Sequence, residues 1–301
     1  MTNIYNVEDF GAVFGPTSAA QRSINTAAIS LARDAAIANG GGEIGVGGNL
    51  HVDGILDFSN LGQCNISLVG HGGLNAGSRI ALVHSIQPGP FDTLENTSFF
   101  TIRGITLDAN FSKDFVLYCG RDVNTISAGK HLFDNVRVVN GNKASYLNKS
   151  SEDNTHIHCQ FNRSPIGVII TGYPIAESVH LSGQVPVNFS APWISSISHN
   201  FYDCTFGDPQ YANRAGLMII RSQCNLFGGV IFSKPVVSEA AIMIDGTQQM
   251  STMQGILVDA GLSDISMLIG KYSPVDQDHC TRLNLSAHLT MSVTTGTLNL
   301  S

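Results

Sequence analysis

Charge is what this sequence has least of. Asp, Glu, Lys and Arg make up 13 % of its 301 residues, about half the usual share. The 16 Lys and Arg residues are scattered and form no block. That speaks against a nucleic-acid partner, because phosphate binding needs clustered cations. No run of 18 apolar residues occurs, so no membrane insertion is expected. The six cysteines, at 64, 119, 159, 204, 224 and 280, form no CxxC or other zinc spacing. They read as reduced, buried thiols, with no metal and no cofactor implied. The start "MTNIYNVEDF" has neither the basic residues nor the apolar stretch of a secretory signal, so none is expected. Dipeptides typical of tight hairpins are few. The apolar fraction, 43 %, is ordinary, which excludes disorder. Low charge with frequent Gly, Ser, Thr, Asn and Val points to an all-β chain with a surface of small polar side chains.

What is present is a repeat. Short lines of one grammar recur from residue 100: "FTIRGITLDAN" (100–110), "HLFDNVRVVNG" (131–141), "THIHCQFNRS" (155–164), "NFYDCTFGDP" (200–209), "LFGGVIFSKP" (226–235), "TMQGILVDAG" (252–261) and "CTRLNLSAHL" (280–289). Each is a short alternating strand ending in turn chemistry. Anchored on inward positions Ile105, Val136, Cys159, Cys204, Val230, Ile256 and Leu283, the steps average about 25 residues if the 45-residue step holds two coils, with "VHLSGQV" (179–185) as the second. A second line, anchored on Val168, Met218, Met243 and Met267, keeps the same beat. Two lines sharing one period predict an all-β, right-handed parallel β-helix, in which each coil buries its apolar face by stacking. A β-sandwich is the rival, but its hairpin signals are missing. Cys159 and Cys204, two coils apart on this reading, would stand roughly 9–10 Å apart, too far for a disulfide.

A solenoid needs its open end covered. Residues 17–39 predict an N-terminal capping α-helix. Thr17 or Ser18 caps its start, Ile24, Ala27, Ala28, Leu31, Ala35 and Ala38 form the buried face, and Asn39-Gly40 ends it. Residues 1–42 would then hold the first strand and the cap, and 43–301 one continuous β-helix. "GGGEIGVGG" lacks the lysine of a phosphate loop and follows a helix, so it reads as the start of the first coil. "VEDFGAV", "NTAAISLARDAA" and "NGGGEIGVGG" together resemble the N-terminal signature of the pectate-lyase-like β-helix superfamily, in the branch found in bacteriophage tailspikes and related virion appendages. Two places depart from that pattern: "FGPTSAAQ" replaces an aspartate-rich turn and "GGNLHV" a Pro-Gly turn. The resemblance covers residues 7–53 and implies a lateral surface that faces glycans and a parallel homotrimer. It marks no catalytic residue.

Acids and aromatics supply the candidate sites. Glycoside hydrolysis needs two carboxylates about 5–5.5 Å or 6.5–9.5 Å apart. Asp108, Asp134, Asp203, Asp208, Asp245, Asp259 and Asp264 are available. Asp108 and Asp259 share a column six coils apart, and Asp134 and Asp203 fall in neighbouring columns that face opposite ways. No pair emerges, and turn chemistry explains most of these residues. Elimination needs a base and a cation, yet Asp134 and Arg137, three apart on one strand, point to opposite faces. His156 and His158 of "HIH" share a strand face without a third ligand. The best glycan-binding coil is "APWISSISHNFYDCTFGDPQYANR", with Trp193, Tyr202, Asp203, Asp208, Tyr211 and Arg214, since sugars are gripped by an aromatic face with polar flanks. Trp193 packing a loop or a subunit seam is the plainer alternative.

The last stretch, "RLNLSAHLTMSVTTGTLNLS", alternates to the final residue, so no separate C-terminal module is expected. The sequence thus leads to a phage virion surface protein: a short tailspike, fibre or decoration subunit, trimeric, on tail or capsid. Its partners would be other virion proteins and host or environmental polysaccharide. A polysaccharide-degrading hydrolase or lyase is the alternative, and a bacterial surface adhesin a weaker one.

Overall fold

The computed structural model describes residues 3–53, 56–58, 61, 64–71, 79–82, 90–95, 99–112, 114–120, 129–149, 151–172, 198–208, 215–220, 222–232, 240–245, 251–254, 257–259, 265–269, 283–285, 290–292 and 297–300. Its strands run in three lines, and every pairing is parallel between successive coils. The first line stacks Ile4–Asn6, Gly41–Val46, Asn65–Gly70, Thr101–Arg103, Leu132–Asp134 and Thr155–Ile157, then the opening halves of His199–Phe206 and Cys224–Phe232, then Ser251–Gln254 and Leu283–Leu285. The second line holds Thr106–Asp108, Arg137–Val139, Gln160–Asn162 and the closing halves of the two long strands. The third includes Phe115–Gly120, Ala144–Lys149, Ile166–Thr171, Ala215–Ile220 and Ala240–Asp245. This is the expected right-handed parallel β-helix with an N-terminal helix.

The coils are less regular than a 25-residue beat. Thr101 pairs Leu132, Leu132 pairs Thr155, Thr155 pairs Asn200 and Asn200 pairs Asn225, giving steps of 31, 23, 45 and 25 residues. The 45-residue step is therefore one coil, not two. Cys159 and Cys204 sit on adjacent rungs, because Gln160 pairs Thr205. Both are free thiols, each directed at backbone carbonyls: Cys159 Sγ lies 3.4 Å from Phe133 O and Cys204 Sγ 3.6 Å from His156 O. The anchor column Ile105, Val136, Cys159, Cys204 is fully buried and then slips by one, because Gly229 pairs Cys204 while Val230 pairs Thr205. Leu283 pairs Ser251 and belongs to another column, and Ile256 lies outside the described residues. In the second anchor line Val168 aligns with Leu217, and Met218 with Ile169.

Corners explain how these strands close into a coil. Phe99, Lys130, Asp153 and Ser198 have φ between 55° and 61°, and the column Gly104, Asn135, His158, Asp203 and Gly228 has φ between 50° and 71°. Left-handed backbone at a non-glycine residue costs about 1–2 kcal/mol. The offset is visible: the corner N–H groups of Gly104, Asn135 and His158 donate to Asp134 O, Ile157 O and Tyr202 O on the next rung at 2.9–3.0 Å. The hydrogen-bond ladder thus continues through the bend, and a one-residue kink turns the chain from the first line into the second.

The helix spans Ala19–Ala38, with Ser18 Oγ accepting from the Gln21 amide at 3.2 Å and Gly40, at φ 77°, ending it. Of its expected apolar face only Ala28 is buried, with Ala35 half-buried. Ile24 and Leu31 are about half exposed, and the buried set is Arg22, Asn25, Ala28, Ile29, Ala32 and Ala36. The reason is hydrogen bonding. Asn25 Nδ2 donates to Val13 O and His51 O at 3.0 and 2.8 Å, and its Oδ1 accepts from the Val13 amide at 2.9 Å. Thr26 Oγ1 donates to Asp53 O and accepts from Asp53 N, at 2.8 and 2.9 Å. The helix turns toward backbone groups of the first coils that need partners, and its alanines permit the close approach.

Candidate functional site

The corner column decides what faces outward. Within a strand alternate residues change face, but a left-handed corner restarts the alternation. In the rung 132–138, Phe133, Val136 and Val138 are buried, while Asp134 and Arg137 on either side of Asn135 are both partly exposed. They share the outer surface, against expectation. His156 and His158 part for the same reason: His156 is fully buried, and His158, at φ 52°, is exposed. Among the described residues no group of three or more His, Cys, Asp or Glu is placed to hold a metal.

The first line carries one outer column with aromatic character. Register places Arg103, Asp134, Ile157, Tyr202 and Phe227 one above another. Tyr202 and Phe227 stack with centroids 5.2 Å apart and planes at 15°, and Tyr202 is 39 % exposed. The column continues with Ile157 below Tyr202 and Gln254 above Phe227, so it is the ring edges that turn outward. The neighbouring outer column holds Leu132, Thr155, Asn200 and Asn225, where Asn225 Nδ2 donates to Asn200 Oδ1 at 3.0 Å. At the corner beside the stack, His158 Nε2 and Asp203 Oδ2 are 4.0 Å apart, both side chains about two-thirds exposed, so their attraction is largely screened. Gly228 follows above Asp203. A Cβ there would meet Asp203 Oδ1 at 2.0 Å, so only glycine lets the carboxylate lie over the next rung.

Of the residues singled out in the sequence, Tyr202 and Asp203 come together here. Asp208 does not: it lies beyond the far end of His199–Phe206 and pairs with Arg163 Nε at 3.4 Å. Trp193, Tyr211 and Arg214 lie outside the described residues, as does Asp264. Asp134 and Asp203 face outward together, since Asp203 is a corner residue, and stand two rungs apart, roughly 9.6 Å along the axis. Asp108 has a turn role, accepting from Asn110 N and Asn140 Nδ2 at 2.8 and 2.9 Å. It shares a column with Asp259, five rungs away rather than six. Phe227, Ile157 and the Asn200–Asn225 pair were missed. Their signal was available, because "HNFYDCTF" and "CNLFGGVI" align residue for residue: Asn over Asn, aromatic over aromatic, corner Asp over corner Gly.

No family model matches the sequence, and no curated protein matches it. Solved structures do match over nearly its full length. The Agl-KA catalytic domain superposes with a TM-score of 0.63 at 12 % identity, covering 98 % of this chain and 56 % of that one. Tailspike protein 2 of Escherichia coli O157:H7 bacteriophage CAB120 gives 0.59 at 10 %, covering 97 % and 42 %. The tailspike of Acinetobacter phage vB_ApiP_P1 gives 0.53 at 12 %, covering 98 % and 60 %. The chain spans about two to three fifths of the length of these proteins. At such identities the likeness establishes the fold: a parallel β-helix of the kind built into phage tailspikes. Among the described residues no helix is long and apolar enough to cross a membrane.

Proposed function

We propose that this chain is part of a phage virion surface protein, a short tailspike, fibre or decoration subunit, whose β-helix contacts host or environmental polysaccharide. The observation that carries the reading is the outer column of the first line. Tyr202 and Phe227 stack on a rigid sheet beside Asp203, His158, Asn200 and Asn225. A pyranose ring offers an apolar C–H face and a polar edge, and an aromatic group with amides and a carboxylate nearby matches both. Because these groups stand on strands, little ordering is needed on binding. Trp193, Tyr211 and Arg214, from the same coil, would extend the surface. In a virion the chain would work as a parallel homotrimer beside other virion proteins.

The test is binding of the purified protein to a panel of bacterial capsular and lipopolysaccharide glycans, with its mass in solution measured alongside. Saturable binding to at least one glycan, weakened about tenfold or more by Tyr202→Ala, is the expected result. Binding untouched by that substitution would remove this face from the reading. A second reading is a polysaccharide-degrading enzyme: Asp134 and Asp203 share the outer surface, with an axial separation of roughly 9.6 Å that lies just outside the roughly 6.5–9.5 Å used by inverting glycosidases. It predicts glycan shortening that Asp203→Asn abolishes. Intact glycans with retained binding would leave the binding role.

A further inference from the structure

The middle rungs are polar inside. His131, Asn154 and His199 stand one above another, continuing the column of Phe100 below and Cys224 above. In the next inward column His156 lies between Phe133 and Phe201, its ring nearly parallel to both, with centroids 4.7 and 4.0 Å away. All three histidines are at most 1 % exposed. Burial holds them neutral, against the backbone hydrogen bonds that His156 makes to Asn200 and His199 to Ser151. His131 Nδ1 accepts from the Phe100 amide at 3.2 Å, so a proton there would set two donors against each other. His156 Nδ1 meets Asn200 O at 3.2 Å and therefore donates, which leaves Nε2 as the site for a second proton. Neither His131 Nε2 nor His156 Nε2 has a hydrogen-bond partner.

What surrounds them cannot balance a charge. The third line contributes Cys119, Tyr146 and Asn148. Asn148 Nδ2 donates to Tyr146 Oη at 2.8 Å, and Asn154 Nδ2 to Ser151 Oγ at 2.6 Å. The column of His131 and His199 itself contributes Cys224 above His199, and a neighbouring one Cys159 and Cys204. Burial pushes the Tyr146 phenol and the Cys159 and Cys224 thiols well above their ordinary range, so they remain neutral. Among the described residues no carboxylate, lysine or arginine acts on the three imidazoles, which act instead on one another. Exposed His158 is outside this set.

We infer that these rungs are an acid-sensitive section of the β-helix: proton uptake by the three interior histidines opens Leu132–Asp134, Thr155–Ile157 and His199–Phe206, and with them the outer column that the same strands carry. Burial holds His131 and His199 down at about 3 and His156 well below its ordinary value. In the open chain the value is about 6.5. Below that pH the open state takes up protons that the closed state refuses. The closed state is thus at full strength above pH 6.5 and weakens as pH falls toward about 3. Each histidine shifts the opening equilibrium by up to tenfold per pH unit, and three by up to about a thousandfold.

This inference is independent of glycan binding and is read on the protein alone. Imidazole resonances of the intact chain would be followed from pH 8 to 4, together with amide hydrogen exchange corrected for its intrinsic pH dependence. Three imidazoles should keep neutral shifts until the protein opens, and protection of residues 132–134, 155–157 and 199–206 should fall with pH while the helix 19–38 retains its own. His156→Phe should flatten that fall by about tenfold per pH unit. If all ten histidines titrate near 6.5 in the folded chain, or if His156→Phe leaves the slope unchanged, the inference is overturned. Should that variant not fold, the wild-type titration decides alone.

Discussion

The N-terminal cap and the middle rungs both bury polar side chains, and they satisfy them differently. Asn25, on the cap, is fully buried and makes bonds to Val13 N, Val13 O, His51 O and the side-chain Nε2 of Gln21. His131 and His156, inside the rungs, each keep a nitrogen without a partner. The difference lies in the backbone. At the end of a solenoid, peptide groups still lack partners and a side chain can serve them. In the middle, parallel ladders on both sides use most of those groups, so each of these imidazoles finds one backbone partner, the Phe100 amide for His131 and Asn200 O for His156, and its second nitrogen finds none. A buried polar residue there is harder to satisfy.

Paired substitutions sharpen that contrast most. Asn25→Leu strands three backbone groups and should cost about 3 kcal/mol or more, since each buried unsatisfied group costs roughly 1–3. His156→Phe replaces a polar ring by an apolar one of similar shape, already flanked by phenyl rings, and should change stability by no more than about 1 kcal/mol at pH 7.5. Urea unfolding midpoints compare the two; equal losses would break the contrast. Next in size is Gly228→Ala, expected to cost about 2 kcal/mol for a strained backbone and the contact with Asp203. Adding Asp203→Gly should recover much of that loss, and a double-mutant cycle measures how much. Ser18→Ala removes the helix cap bond and should cost about 1 kcal/mol, read as a shift in melting temperature. Smallest is the double change Ile24→Ser with Leu31→Ser, within about 0.5 kcal/mol if that apolar stripe faces water as it does here. A larger loss would mean that something covers the stripe.

Much of the architecture was legible. Ser18, the alanine-rich run and Asn39-Gly40 mark the helix within a residue or two, because capping and propensity are local. The lines of strands were legible because alternation and turn residues recur, and four of the seven anchors fall in one buried column. Tyr202 and Asp203 stand out by residue type, and the structure puts them side by side on the outer surface. The residues around them were not legible. Asp134, Arg137, His156 and His158 were each assigned a facing by counting residues in twos, and a left-handed corner at Asn135 or His158 breaks that count.

The sequence by itself determined which segments are strand or helix, and that the strands stack in parallel coils. These follow from periodicity, capping and turn residues, which act over a few positions. Only the tertiary structure decided which side each residue takes and which coils are neighbours. Facing restarts at every corner, where the ladder between rungs holds Asn135, His158 and Asp203 in a backbone form that their own preferences allow but do not require. The long step from Cys159 to Cys204 is one coil because Thr155 pairs Asn200, a contact whose partner lies 45 residues along the chain. The helix turned Arg22 and Asn25 inward beside Ala28, Ile29, Ala32 and Ala36 because unpaired peptide groups were waiting at the end of the first coils.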